Sequence, residues 1–430
     1  MSGIIAAVGD STVVSSTKNP SGNRTYHLPN QVNHRHSLSY LGWYHQNQTS
    51  VHPGEVFRVE CVDWTGGQIE NNDSAEDVLN VDLTQVHYLS GPIQVEGAEP
   101  GDYLEVEILE IQPLQGHEWG YTGIFDVKNG GSFLFDYFPR AAKVIWDFEG
   151  IYASSRHIPG VRFAGLIHPG ILGTAPSQEL LNKWNHREAD LLGTDPDRVP
   201  PLAYLPDHKG SFLGALENNP GVARRIAAEA ARSVPPREHG GNCDIKNLSR
   251  GSRVWLPVYV PGAKLSVGDL HFSQGDGEIS FCGGIEMAGA ITLKTKLIKG
   301  GMALHGNLRN PIFMPGPVEP RFSKYISFQG ISVDEHGVQH HLDATLSYKQ
   351  AVLNCIDYFK RFGYTGEQIY LLLSSCPCEG RVNAIVDVPN ACCSISIPTE
   401  IFDFDVTPKN GGHLVKITTN CPVQAIPAKL

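Results

Sequence analysis

The sequence predicts a mainly β chain, with sandwich or barrel-like sheets and several inserted α-helices. Glycine and proline are abundant, 45 and 29 of 430 residues, which suits many turns between short strands. Most patterned segments alternate with a period of two rather than 3.6. No GxGxxG follows a strand and no GxxxxGK[S/T] occurs, which argues against doubly wound nucleotide-binding folds.

In chain order, residues 1–50 are polar and weakly patterned, an irregular N-terminal segment. Its histidines, His27, His34, His36 and His45, read as solvated surface, with metal ligation as the competing reading. EVFRVEC then sets Phe57, Val59 and Cys61 against Val56, Arg58 and Glu60, a half-buried strand. VHYLSGPIQV (86–95) and YLEVEILEI (103–111) are further strands, divided by the turn Pro100-Gly101-Asp102. Ser177 caps a helix beginning QELLNKWNHREADLL. A second helix starts near Gly221 and stops at Pro235-Pro236. VWLPVYV (254–260) reads as a strand, and so does residues 278–298, where ITLKTKLI alternates cleanly. LSYKQAVLNCIDYFKRFG is an amphipathic helix ended by Gly363, and TGEQIYLLLSS is another. AIVDV and SISIP return to strand chemistry. The expected division is 1–50, a catalytic region 51–406 and a tail 407–430.

Composition narrows the function classes. The chain is 41% hydrophobic and 18% charged, globular values, with a formal net charge of -11. That balance, without a Lys/Arg run, argues against nucleic-acid binding. No stretch reaches the apolar length of a membrane span, and the N-terminus lacks a basic n-region. The nine cysteines do not fit a CxxC zinc framework and read as reduced thiols of a cytoplasmic protein.

The chemistry concentrates between His239 and Glu278. His239 and Asp244 open this segment; Asp269, His271, Asp276 and Glu278 close it, with VWLPVYV between. A sheet through that apolar run would bring the two polar ends together. Carboxylates and imidazoles in one pocket suit a hard or borderline divalent cation, zinc or calcium. Asp269 and His271 are two apart and share a face if the segment is a strand. Ser273 to Gly277 is a turn, and Glu278 re-enters the following strand as the tip of a hairpin. Asp244, Asp269, His271 and His239 are the candidate metal ligands; Glu278, or else Asp276, is the candidate proton carrier. Asn242, Asp63 and His168 are candidates for the substrate pocket, with ordinary turn chemistry competing at Asp63 and a structural loop at His168. Cys243 beside His239 raises a rival, a thiol nucleophile with its base.

Ordered blocks through the chain resemble the acetamidase/formamidase family. They are DWTGGQIENNDSAEDVLNVDLTQVHYLSGPIQVEGAEPGD, EWGYTGIF, WDFEGIYASSRHIPGVRFAGLIHPG, PPREHGGNCDIKNLSRGSRVWLPVYV, LSVGDLHFSQGDGEISFCGGIEMAG, LIKGGMA and VPNACCSISIPTEIFDFD. The resemblance implies a β-rich fold, a metal at the site, a cytosolic setting and homo-oligomers, with a trimer as one candidate. It implies hydrolysis of formamide to formate and ammonia, and weaker action on acetamide and other short amides. Residue by residue it falls on His239, Asn242, Asp244, Asp269, His271, Asp276 and Glu278. The chain departs from the family's tryptophan-histidine-proline stretch at GWYHQNQTS, which removes support for a role of His45. The competing classes are the thiol amidase of Cys243 and His239 and a non-catalytic amide-binding scaffold.

Overall fold

A computed structural model describes residues 50–83, 86–194, 221, 230–306, 309–409 and 419–423, with the backbone of the strands Ser15–Lys18 and Arg24–His27. His34, His36, His45 and most of the helix expected from Gly221 lie outside the described residues.

The mainly β expectation holds. Alternating segments fold where a strand can bury one face and wet the other. In Val56–Cys61, Phe57, Val59 and Cys61 are buried and Val56, Arg58 and Glu60 are half-buried. In Gly289–Ile298, Ile291, Leu293 and Thr295 point inward while Lys294 and Lys296 are exposed. Both strands belong to a seven-stranded sheet with Tyr103–Pro113 and Arg253–Pro257.

An eleven-stranded sheet packs on it. Its centre runs Trp119–Ile124, Phe281–Met287, Leu265–His271, His168–Gly173 and Gly240–Asn242, in that spatial order. Leu265–His271 is buried at every position, as a strand covered on both faces must be. Leu293, Leu104 and Val106 of the first sheet share one apolar core with Leu265, Val267 and Leu270 of the second. A three-stranded sheet, Tyr325–Ile331, Cys392–Pro398 and Glu379–Ala384, lies under the helix Ala344–Lys360.

The helices begin where their caps dictate. Ser177 Oγ accepts from the Leu180 N–H at the head of Gln178–Thr194. Thr365 and Gln368 form a reciprocal capping box for Gly366–Ser375. No helix among the described residues is long and apolar enough to cross a membrane. All nine cysteines are free thiols, as expected.

Three expectations about strands are corrected. The VWLPVYV strand ends at Pro257 and lies in the seven-stranded sheet, so it does not bridge the two polar clusters. Residues 278–298 form two strands in different sheets, split at Ala288. In the tail, the Glu379–Ala384 strand stops before most of AIVDV.

Leu293→Ala removes a fully buried side chain from the core between the sheets. It should cost about 2–5 kcal/mol of stability. A denaturant midpoint unchanged from wild type would contradict this placement.

Candidate functional site

Three adjacent strands build the centre of the site. His168 pairs in register with His271, and His271 with Glu286, so the three residues form one row across the sheet. Asp269 joins the row from two residues before His271, on the same face as the i, i+2 spacing requires. His271 Nε2 lies 3.4 Å from Asp269 Oδ1 and 3.0 Å from Glu286 Oε2. Asp244 and Glu278 arrive from flanking loops. The ligand atoms of Asp244, His271 and Glu278 lie within 4.8 Å of one another, as do those of Asp269, His271 and Glu286.

Two glycines make room. A Cβ on Gly170 would sit 2.6 Å from Asp269 Oδ2 and 2.9 Å from Asp244 Oδ1. One on Gly284 would meet the His271 ring at 2.6 Å. Asp244, Asp269 and Glu278 have φ of 47°, 54° and 46°. Left-handed backbone at such residues is strain of about 1–3 kcal/mol each, of the kind that collects at functional sites.

Burial dominates the electrostatics. It pushes Asp244 up to about 7, with the Asp269 charge adding to it. It pushes Glu286 up to about 8 against the opposing charge of His271. Glu278 is raised well above the carboxylate range by burial and by Asp244. Burial alone would lower His271, yet the charges of Glu286 and Asp269 outweigh it and raise the imidazole. Asp269 is lowered, because His271 more than offsets its own burial.

The donor set fits a divalent cation. Asp244 Oδ1, His271 Nε2 and Glu286 Oε2 are buried without a hydrogen-bond partner. The 3.0 Å approach of Nε2 to Glu286 Oε2 lacks hydrogen-bond geometry. Lone pairs that converge without bonding to one another are what a cation would occupy.

The cluster heads a cavity of about 500 Å³. Asn242, Asp244, Asp269, Gln274, Glu278 and Glu286 line its polar end; Trp64, Leu83, Val86, Val234 and Phe281 line its apolar wall. His87 also borders it. Burial lowers the pKa of His87, and its Nδ1 is 2.9 Å from Ser233 Oγ. Asn242 Nδ2 donates to Val234 O at 2.9 Å, which leaves Oδ1 buried and unpartnered.

Asp244, Asp269, His271, Glu278 and Asn242 thus come together as expected from sequence. The others are placed elsewhere. His239 packs against Trp184, ring centroids 4.6 Å apart and tilted by 47°, and is absent from both ligand groups; burial pushes it down to about 3. Neither of its nitrogens has a partner, so it makes no pair with Cys243. Burial raises the Cys243 thiol to about 12, far from a thiolate at neutral pH. Asp276 turns outward to Lys246 and to the Gly380 N–H, 2.9 Å away. Asp63 closes a turn on Thr65 and Gly67, accepts from Tyr121 Oη at 2.7 Å, and borders a different cavity. His168 stands behind His271 and off the cavity wall, its Nδ1 donating to Leu166 O at 2.7 Å. Glu278 lies in the loop, before the strand that begins at Phe281.

Sequence reasoning missed Glu286, Gln274 and His87. Glu286 is the one acid in the buried strand FCGGIEM, and pairing that strand with GDLH would have set it opposite His271.

In metal-free protein the cluster binds more protons than the unfolded chain does, because Asp244, Glu278, Glu286 and His271 all titrate above their usual values. Their stabilising contribution is full at low pH and is lost as pH rises through the folded pKa values. A cation displaces those protons. The Tm difference between metal-loaded and chelated protein should therefore widen from about pH 5 to about pH 8. A difference constant across that interval would count against the cluster as the metal site.

The sequence model of the Acetamidase/Formamidase family matches residues 42–404. A formamidase of Methylophilus methylotrophus is 58% identical over 367 residues, 85% of this chain and 89% of its own. An acetamidase of Mycolicibacterium smegmatis is 57% identical over 339 residues, 77% and 83% of the two chains. The solved structure of a gamma lactamase from Delftia acidovorans superposes with a TM-score of 0.85 at 54% identity, covering 89% of this chain and 94% of its own. With the family's match spanning most of its length and with relatives this similar, the chain belongs to the acetamidase/formamidase family, hydrolases of amide bonds.

Proposed function

We propose that this protein hydrolyses formamide to formate and ammonia, with weaker action on acetamide and other short amides, using water activated beside a divalent cation. The observation that carries the reading is that Asp244 Oδ1, His271 Nε2 and Glu286 Oε2 are buried and unpartnered, on residues of two ligand groups that share His271 beside the cavity. Asp244, Asp269, His271 and Glu286 would hold the cation. An imidazole nitrogen in that set favours zinc over calcium, whose ligands are oxygens. Such an ion polarises an amide carbonyl and lowers the pKa of water from about 15.7 towards about 7.

The chain's own groups do the rest. Glu278 borders the cavity and its nearest backbone donor, Gly283 N–H, is a distant 3.4 Å from Oε1. Its carboxyl, beside Asp244 and His271, is placed to take a proton from water and return it to the departing nitrogen. Neighbouring positive charge lowers a carboxyl that burial has raised, so an occupied site prepares Glu278 as a base. Asn242 Oδ1 accepts from the substrate N–H. Trp64, Val86, Val234 and Phe281 keep bulk water from the apolar side. We place the protein in the cytoplasm as a homo-oligomer, as its family membership suggests.

The cavity favours a second substrate class. At about 500 Å³ with an apolar wall it greatly exceeds formamide and has room for a small cyclic amide. The similar structure bearing the name gamma lactamase supports the same extension.

Purified protein should release ammonia from formamide, lose that activity on chelation and regain it with zinc. Glu278→Gln should lower kcat by about 10²–10⁴, whereas Cys243→Ala should retain activity. Turnover indifferent to tight chelation, or abolished by Cys243→Ala in folded protein, would sink this mechanism. Ring opening of a simple γ-lactam, followed by the appearance of the amino acid, tests the second class.

A further inference from the structure

We infer that Gln274 is a positioning residue that fixes which nitrogen of His271 faces Asp269 and Glu286 and ties that ring to Asp244. Gln274 is 1% exposed, in the loop that follows the Leu265–His271 strand. Its Nε2 donates to the main-chain oxygen of Asp244 at 2.7 Å. A carbonyl oxygen only accepts, so the amide nitrogen must point there and Oε1 must point the other way. Oε1 is 2.9 Å from His271 Nδ1. Being an acceptor, it requires the proton on Nδ1. A neutral imidazole so arranged carries its lone pair on Nε2, the atom between Asp269 and Glu286.

His168 reinforces this orientation. Its Nδ1 donates to Leu166 O, which leaves Nε2 an acceptor 3.4 Å from His271 Nδ1 and 3.1 Å from Gln274 Oε1, so the two acceptors share the one Nδ1 proton, with Oε1 the nearer. The other end of Gln274 matters equally. Asp244 sits at φ 47°, a conformation that needs support. Its N–H reaches Gly170 O at a long 3.3 Å, and the Gln274 bond holds its carbonyl. One side chain thus bears on both the His271 lone pair and Asp244, contributed by a strand and a loop. The inference rests on the proposed cation site, since a donor that orients a ligand without bearing on a cation has no such effect.

The test uses full-length protein stripped of metal and titrated with zinc against a competing chelator, with Tm of the metal-free form recorded in parallel. Gln274→Met keeps much of the volume but neither hydrogen bond, and should weaken zinc binding about 10–100-fold. Gln274→Glu keeps an acceptor for Nδ1 but loses the donor to Asp244, and should fall between Met and wild type. It also serves if the Met variant does not fold. Leu293→Ala, in the other sheet, is the control: it should lower Tm and leave zinc affinity as in wild type. Wild-type affinity in folded Gln274→Met, or in Gln274→Glu where Met does not fold, overturns the inference. So does equal weakening in Leu293→Ala, which would mean that general destabilisation is the cause. Wild-type protein that binds neither zinc nor calcium overturns the cation reading itself, a failure distinct from the others.

Discussion

The desolvation of four carboxyl groups around one imidazole is the constraint on which the rest of this structure depends. Asp269, His271 and Glu286 are at most 4% exposed, and Asp244 and Glu278 join them at the closed end of the cavity. Isolated charges so placed are costly to hold. The cluster answers that cost by keeping protons on carboxyls that would lose them in water and by charging the imidazole between two acids. A divalent cation held by these groups would answer it by supplying positive charge to the buried carboxylates.

The scaffold makes this cluster sustainable. A central strand hydrogen-bonded on both sides has little freedom to relax, and Leu265–His271 is such a strand, buried along its whole length. Its neighbours bring Glu286 into register on one side and His168 on the other. Gly170, Gly283 and Gly284 are positions at which a side chain would displace a cluster residue. The apolar packing between the sheets thus has a direct functional consequence: it fixes the backbone from which the polar row projects.

The cavity has two chemically distinct ends. Its polar end can polarise and protonate, and its apolar wall admits carbon without specifying much about it. A methylene in such a pocket changes binding by about 1–3 kcal/mol. Graded rather than absolute preference among amides follows from that shape, and it accords with a family whose similar members carry the names formamidase, acetamidase and gamma lactamase.

Much of this was legible in the sequence. Period-two alternation located Val56–Cys61 and Gly289–Ile298, and the caps Ser177 and Thr365 located helix starts, because both signals are local. The i, i+2 spacing of Asp269 and His271 put both on one face, and the family resemblance brought Asn242, Asp244 and Glu278 beside them. Other choices were not local. His239 and Asp276 have the right chemistry and the right neighbourhood in sequence, yet one packs against Trp184 and the other pairs with Lys246. Glu286 looked like an ordinary strand residue until register set it across from His271. The sequence by itself determined the β-rich class and pointed to Asp244, Asp269, His271 and Glu278, since these follow from residue type and short-range spacing. Only the tertiary structure decided which acids share the imidazole and which nitrogen faces them, because strand order and register are set by contacts between residues far apart in the chain.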